Sequence, residues 1–82
     1  MLVAVRVFKP HVISSNFIDL GVYAFEASRV VSMHPIACEC YREEDGSAIS
    51  LWRVVAEPKF DDPVRVDQEG FEAIVRNSQY AA

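Results

Sequence analysis

The chain has 82 residues, 51% of them hydrophobic and 24% charged, with only 3 glycines and 4 prolines. This composition excludes intrinsic disorder, a low-complexity chain and more than one domain. Twelve acidic and 8 basic residues give a net charge of −4. The whole deficit lies in residues 42–82, so generic binding to nucleic acid is disfavoured.

Two cysteines, Cys38 and Cys40, do not make a disulfide scaffold. The first residues reach Arg6 after only five apolar side chains, too few for a signal peptide. The longest charge-free stretches, 10–18 and 30–38, are far shorter than a membrane span. A cytoplasmic protein with reduced thiols and no membrane partner is expected.

In chain order, residues 2–8 are β-branched and aromatic, and read as a central strand ended by Lys9-Pro10. Residues 11–21 read as a loop with room for one helical turn after Ser14-Ser15-Asn16, and a strand follows near 21–26. Ala27-Ser28-Arg29 is a short corner. A strand restarts at Val30, meets an edge or bulge at Pro35 and continues from Ile36 to Arg42. Asp45-Gly46 is the clearest turn. Ser47 to Ala56 is the return strand, and 57–63 is a polar loop.

A helix is predicted from about 68 to 77. Asp67 is its N-cap, and Val66 with Phe71 makes a hydrophobic staple. Phe71, Ile74 and Val75 share one face, and Arg76 suits the negative end of the dipole. Gly70 should cost about 1 kcal/mol against alanine. Asn77 is the stop, and Tyr80-Ala81-Ala82 is expected to fray. The order of elements gives an α+β domain over 1–82. It is an antiparallel sheet of about four to five strands with one C-terminal helix packed on a face.

A two-residue turn at Asp45-Gly46 would pair Glu44 with Ser47, Arg42 with Ile49, Cys40 with Leu51 and Ile36 with Val55. One face then carries Ile36, Cys38, Cys40, Ile49, Leu51 and Val55. The other carries Ala37, Glu39, Tyr41, Ala48, Ser50, Trp52 and Val54. A change of one residue in the turn exchanges these faces. Either way both faces are apolar, and one short helix cannot cover both. The 9–21 loop, with Val12, Ile13, Phe17, Ile18 and Leu20, or a partner must cover the second.

Chemistry is sparse. His34, Cys38 and Cys40 form H-x3-C-x-C, weak metal candidates on one side of an ideal strand, with His11 a conceivable fourth ligand. C-x-C is not the usual knuckle spacing, so small buried cysteines are the expected role. A Cys38–Cys40 disulfide would be strained, since two strand residues span about 6.6 Å. No phosphate loop, nucleotide fingerprint, zinc-protease or nucleophile-elbow motif occurs. Glu43-Glu44-Asp45 and Asp61-Asp62 lack calcium-loop spacing and read as solvated turns, or as a patch for a basic protein. Tyr23, Phe25, Tyr41 and Trp52, with Arg29, Arg42 and Arg53, could stack on bases.

The sequence thus points to a non-enzymatic protein-binding module that also self-associates as a homo-oligomer, without cofactor or metal. Trp52, Tyr41, Arg42 and Arg53 form its expected contact patch, because Trp, Tyr and Arg dominate interface energetics. A small phage or mobile-element regulator or inhibitor fits this size. The alternative is a small regulator that binds single-stranded nucleic acid or a metal ion through the sheet.

Overall fold

A computed structural model describes residues 1–77. Its elements are β1 (Leu2–Pro10), β2 (Phe17–Glu26), a 3₁₀ turn (Ala27–Arg29), β3 (Val30–Pro35), β4 (Cys40–Tyr41), β5 (Ala48–Ile49), β6 (Leu51–Ala56), β7 (Val64–Asp67) and α1 (Gln68–Asn77). Five strands form one sheet in the order β2-β1-β7-β6-β3, and β4 and β5 form a separate two-stranded ribbon. Every paired neighbour is antiparallel. The fold is therefore the α+β class read from the sequence, with β1 inside the sheet. The expected fraying of Tyr80-Ala81-Ala82 lies outside the described residues.

β2 and β3 are the two edges of the sheet, yet only Ala27–Arg29 join them. Four Cα steps reach at most about 14 Å. Five flat strands would hold their edges about 19 Å apart. The sheet must therefore coil, so that the end of β2 meets the start of β3. Ala27 is fully buried at that corner. Its amide donates to the Met1 carbonyl at 2.9 Å, and the Glu57 amide donates to the Arg29 carbonyl at 2.9 Å.

The inner face of this coiled sheet holds the main core: Val3, Val5, Met33, Val54 and Val66, with Ile74 from α1. Helix α1 begins directly where β7 ends. The Asp67 carboxylate accepts from the Gly70 amide at 2.9 Å, the capping bond expected from the sequence. Val66 and Ile74 are fully buried, each contributing roughly 1.5–3 kcal/mol of apolar burial.

A second, smaller core lies on the outer face. Phe8, Phe17, Cys40 and Leu51 are buried there, with Ile36 and Ile49 against them. The cover is the β4–β5 ribbon. The 9–21 loop contributes Phe17, but its Val12 and Ile13 are 96% and 86% exposed. The chain thus covers part of its second face with its own hairpin, an arrangement outside the two expected covers. The ribbon is anchored to β2 by a bridge between Phe17 and Arg42 and by the Glu43 amide, which donates to the Phe17 carbonyl at 2.8 Å. Ser14 of the 11–16 loop donates to Glu43 at 2.7 Å, and this bond holds the Glu43 carboxyl below its ordinary value.

The hairpin register differs from the one read at Asp45-Gly46. Cys40 pairs with Ile49 and Tyr41 with Ala48. Further along, Pro35 pairs with Trp52 and His34 with Arg53. The turn is longer because only Gly46 takes positive φ (+72°), whereas a two-residue type I′ turn needs both central residues there. The Gly46 amide instead donates to the Arg42 carbonyl, and Asp45 accepts from the Ser47 amide and hydroxyl at 2.9 and 2.7 Å. Residues 36–39 leave the sheet, so the strand read from Ile36 to Arg42 is broken. Cys38 is exposed rather than sharing the buried face with Cys40. Trp52 and Val54, on the face read as mixed, belong to the main core. Two strands also extend the reading: β2 starts at Phe17 inside the expected loop, and β7 is a short central strand just before the helix.

Gly70 is explained by packing. A Cβ there would lie 2.9 Å from Val66 Cβ and 3.3 Å from Val5 Cβ. Gly70→Ala should therefore destabilise the protein by about 1–3 kcal/mol through overpacking, despite a helix-propensity gain of about 1 kcal/mol. Urea unfolding checks the sign: a variant more stable than the parent would show that the helix shifts freely on the sheet.

Candidate interaction surface

The four residues of the expected contact patch do not form one surface. Trp52 points to the inner face and stacks on Phe71 of α1, with ring centroids 3.8 Å apart and 12° between planes. Its Nε1 donates to Gln68 Oε1 at 2.9 Å. Arg53, the next residue, is exposed on the outer face. The Arg42 guanidinium lies 5.4 Å from the centroid of Phe8, closing the small core. Tyr41 sits on the ribbon at 37% exposure, and its hydroxyl donates to Glu39 at 2.9 Å. The aromatic residues considered for base stacking are scattered likewise. Tyr23 and Phe25 belong to β2, Tyr41 to the ribbon and Trp52 to the helix-facing core.

The H-x3-C-x-C residues are also separated. His34 lies on β3, where Nε2 and the Ser32 hydroxyl are 3.0 Å apart. Cys40 is buried, and its Sγ donates to the Cys38 carbonyl at 3.5 Å. Burial, and secondarily the neighbouring Cys38, push the Cys40 thiol up to about 11. Among the described residues no three His, Cys, Asp or Glu side chains converge in a way that could hold a metal ion. Nor is any described helix long and apolar enough to cross a membrane.

The open feature is β2. Its start is tied to the ribbon, but the strand from Ile18 onward is a free sheet edge. Residues 20–25, Leu-Gly-Val-Tyr-Ala-Phe, carry no charge and no proline. Native edges are usually guarded by such residues, because unpaired amides and carbonyls invite another strand. Leu20, Val22 and Tyr23 are 39%, 59% and 54% exposed, and Leu2 opposite Glu26 is 71% exposed. Both charges that flank this run are engaged, Asp19 by Arg6 at 2.9 Å and Glu26 by the Met1 amino group.

Local backbone chemistry shapes this edge. Val7 faces two β2 residues, Leu20 and Gly21, forming a bulge between the Arg6–Val22 and Phe8–Asp19 pairs. Gly21 adopts φ +94°, and its amide donates to Asp19 Oδ1 at 2.7 Å. Beside the edge runs a groove of about 400 Å³, lined by Leu20, Tyr23, Phe25, Phe60 and Val64 among others. Phe25 and Phe60 meet edge to face at 5.6 Å, and Arg29 lies over Phe60 at 4.7 Å while donating to the Pro58 carbonyl. The opposite edge, β3, also carries a bulge, between Val30 and Ser32, but it is shorter and Pro35 ends it. The sequence signal for the open edge was the uncharged run inside a strand, rather than any single residue type.

No protein-family model, curated protein or solved structure matches this chain.

Two outcomes test these placements. Trp52→Ala removes the Phe71 stack and should lower unfolding free energy by about 2–4 kcal/mol in urea titration. A loss well under 1 kcal/mol would return Trp52 to the surface. At neutral pH a thiol reagent should label Cys38 rapidly and Cys40 only after unfolding, because the thiolate is the nucleophile. Mass mapping of the labelled peptide reads this directly, and equal labelling of both thiols in the native protein would contradict the buried position of Cys40.

Proposed function

We propose that this chain is a non-enzymatic protein–protein interaction module that pairs with a second copy of itself along β2. The free β2 edge, uncharged from Leu20 to Phe25, carries this reading. Adding a strand to an exposed edge supplies main-chain hydrogen bonds, and flanking pockets supply specificity. A second copy suits the site because an antiparallel pair of identical strands is self-complementary under a two-fold axis. With the axis near the middle of β2, Val22 lies beside its mate and the apolar side chains of both copies meet. Asp19 and Glu26 stay at the ends of the shared segment. A binding role as a small regulator or inhibitor follows from the same surface when a different protein offers the strand.

Sedimentation equilibrium and native mass spectrometry test this at micromolar concentration. The parent should be dimeric. Val22→Lys places two like charges at the axis and should weaken dimerisation by roughly tenfold or more while the monomer stays folded. Val31→Lys, at 53% exposure on the other edge, should leave the dimer unchanged. A monomeric parent, or equal loss in both variants, would rule out pairing through β2.

A further inference from the structure

The outer face carries a second feature, independent of the β2 edge. One row crosses all five strands: Asp19, Phe8, Arg65, Arg53 and His34. Arg53 and Arg65 are direct cross-strand partners. Side chains so placed have Cβ atoms about 4.5–5.5 Å apart, and like charges there destabilise a sheet. His34, the other cross-strand neighbour of Arg53, adds only its imidazole, already near the Ser32 hydroxyl. Asp19 ends the row and is engaged by Arg6. Among the described residues neither Arg53 nor Arg65 forms an ion pair or a side-chain hydrogen bond. Asp61 and Asp62 share a shallow depression with Arg53 without pairing to it. Among the described residues of this acidic chain, which include all twelve Asp and Glu side chains, two adjacent guanidinium groups thus stay unpaired, one of them half-buried.

We propose that Arg53 and Arg65, with His34 beside them, bind a phosphate-class dianion, either free phosphate or the phosphate monoester of a small molecule. Two guanidinium forks can each donate paired N–H groups to one tetrahedral oxyanion, and its double charge offsets both. A single carboxylate offsets only one. The row offers no base-stacking platform, because its aromatic residue, Phe8, is fully buried under the ribbon and Arg42. Single-stranded nucleic acid, which relies on such stacking, fits less well.

The test is an NMR titration at pH about 7.5, where phosphate is largely dianionic. Inorganic phosphate, phenyl phosphate, chloride and a short oligothymidylate are compared at constant ionic strength. Phosphate should cause saturable shifts of the Arg53 and Arg65 Nε–H and His34 ring signals that chloride does not. Equal binding of both phosphates would identify the oxyanion itself as the ligand, and tighter binding of phenyl phosphate would identify a monoester. Arg53→Gln, on an exposed side chain, should preserve the backbone spectrum and weaken binding by roughly tenfold or more. Identical responses to phosphate and chloride would overturn the proposal. So would unchanged affinity in Arg53→Gln, or shifts with the oligothymidylate alone. Val22→Lys should bind phosphate like the parent, which separates this site from the dimer edge.

Discussion

Ala27–Arg29 must join two strands at opposite edges of a five-stranded sheet, and three residues are too few to cross a flat one. Each strand step twists by about 20–25°, so four steps accumulate roughly 80–100°. That twist brings diagonally opposite corners together, and the short turn fastens them. Ala27 fits because its side chain is small enough to vanish into the corner, where it is fully buried. The coil then gives the sheet an inner face, and α1 needs to cover only that. Gly70 follows from the same closeness, since the helix approaches β1 and β7 too tightly for a Cβ.

A coiled sheet also has an outer face, and here strand β6 decides the architecture. Its residues alternate between Trp52 and Val54 toward the helix and Leu51, Arg53 and Val55 away from it. Leu51 is buried on the outer side, so something must lie over it. The break after Pro35 supplies that cover. It lets 36–49 leave the sheet and fold back as a ribbon over Leu51 and Phe8. Cys40 is the ribbon's inward side chain, and its raised thiol pKa is a consequence of that burial rather than a sign of reactivity.

Much of this was legible in the residues. The helix start, its Asp67 cap, the central β1 and the corner at 27–29 follow from local pattern and capping chemistry, and the structure has them. The excess of apolar surface over what one helix can cover was legible too. Its resolution was not, because it depends on tertiary contacts. Asp45-Gly46 announces a turn but does not set its length, and Pro35 announces an irregularity but not a departure from the sheet. β7 has four residues, Val64–Asp67, too few for periodicity to show. Trp52 illustrates the limit most clearly. Residue type favours an interface, but only the register shows that it faces Phe71. The edge status of β2 is likewise a property of strand order, which no local window contains.

Charge placement separates the two surfaces. The carboxylates gather on turns and the helix: Glu43, Glu44 and Asp45, then Asp61 and Asp62, then Glu69 and Glu72. The strands hold three carboxylates, Asp19, Glu26 and Asp67, and the arginines they carry, Arg6, Arg53 and Arg65, all lie on the outer face. Two copies of a −4 chain repel at long range, but fields from exposed charges decay over about 8 Å at physiological salt. Main-chain pairing along β2, as proposed, would act at contact distance, where the flanking carboxylates Asp19 and Glu26 are already bound to Arg6 and the Met1 amino group. In the proposed dimer the net charge would slow approach without opposing the bonded state much. A strand that arrives in register gains the hydrogen bonds and the apolar contacts with Leu20, Val22 and Tyr23. One that arrives a residue out turns its side chains to the wrong faces and loses the apolar contacts. Selectivity in the proposed pairing would therefore come from register, with charge governing the rate of encounter.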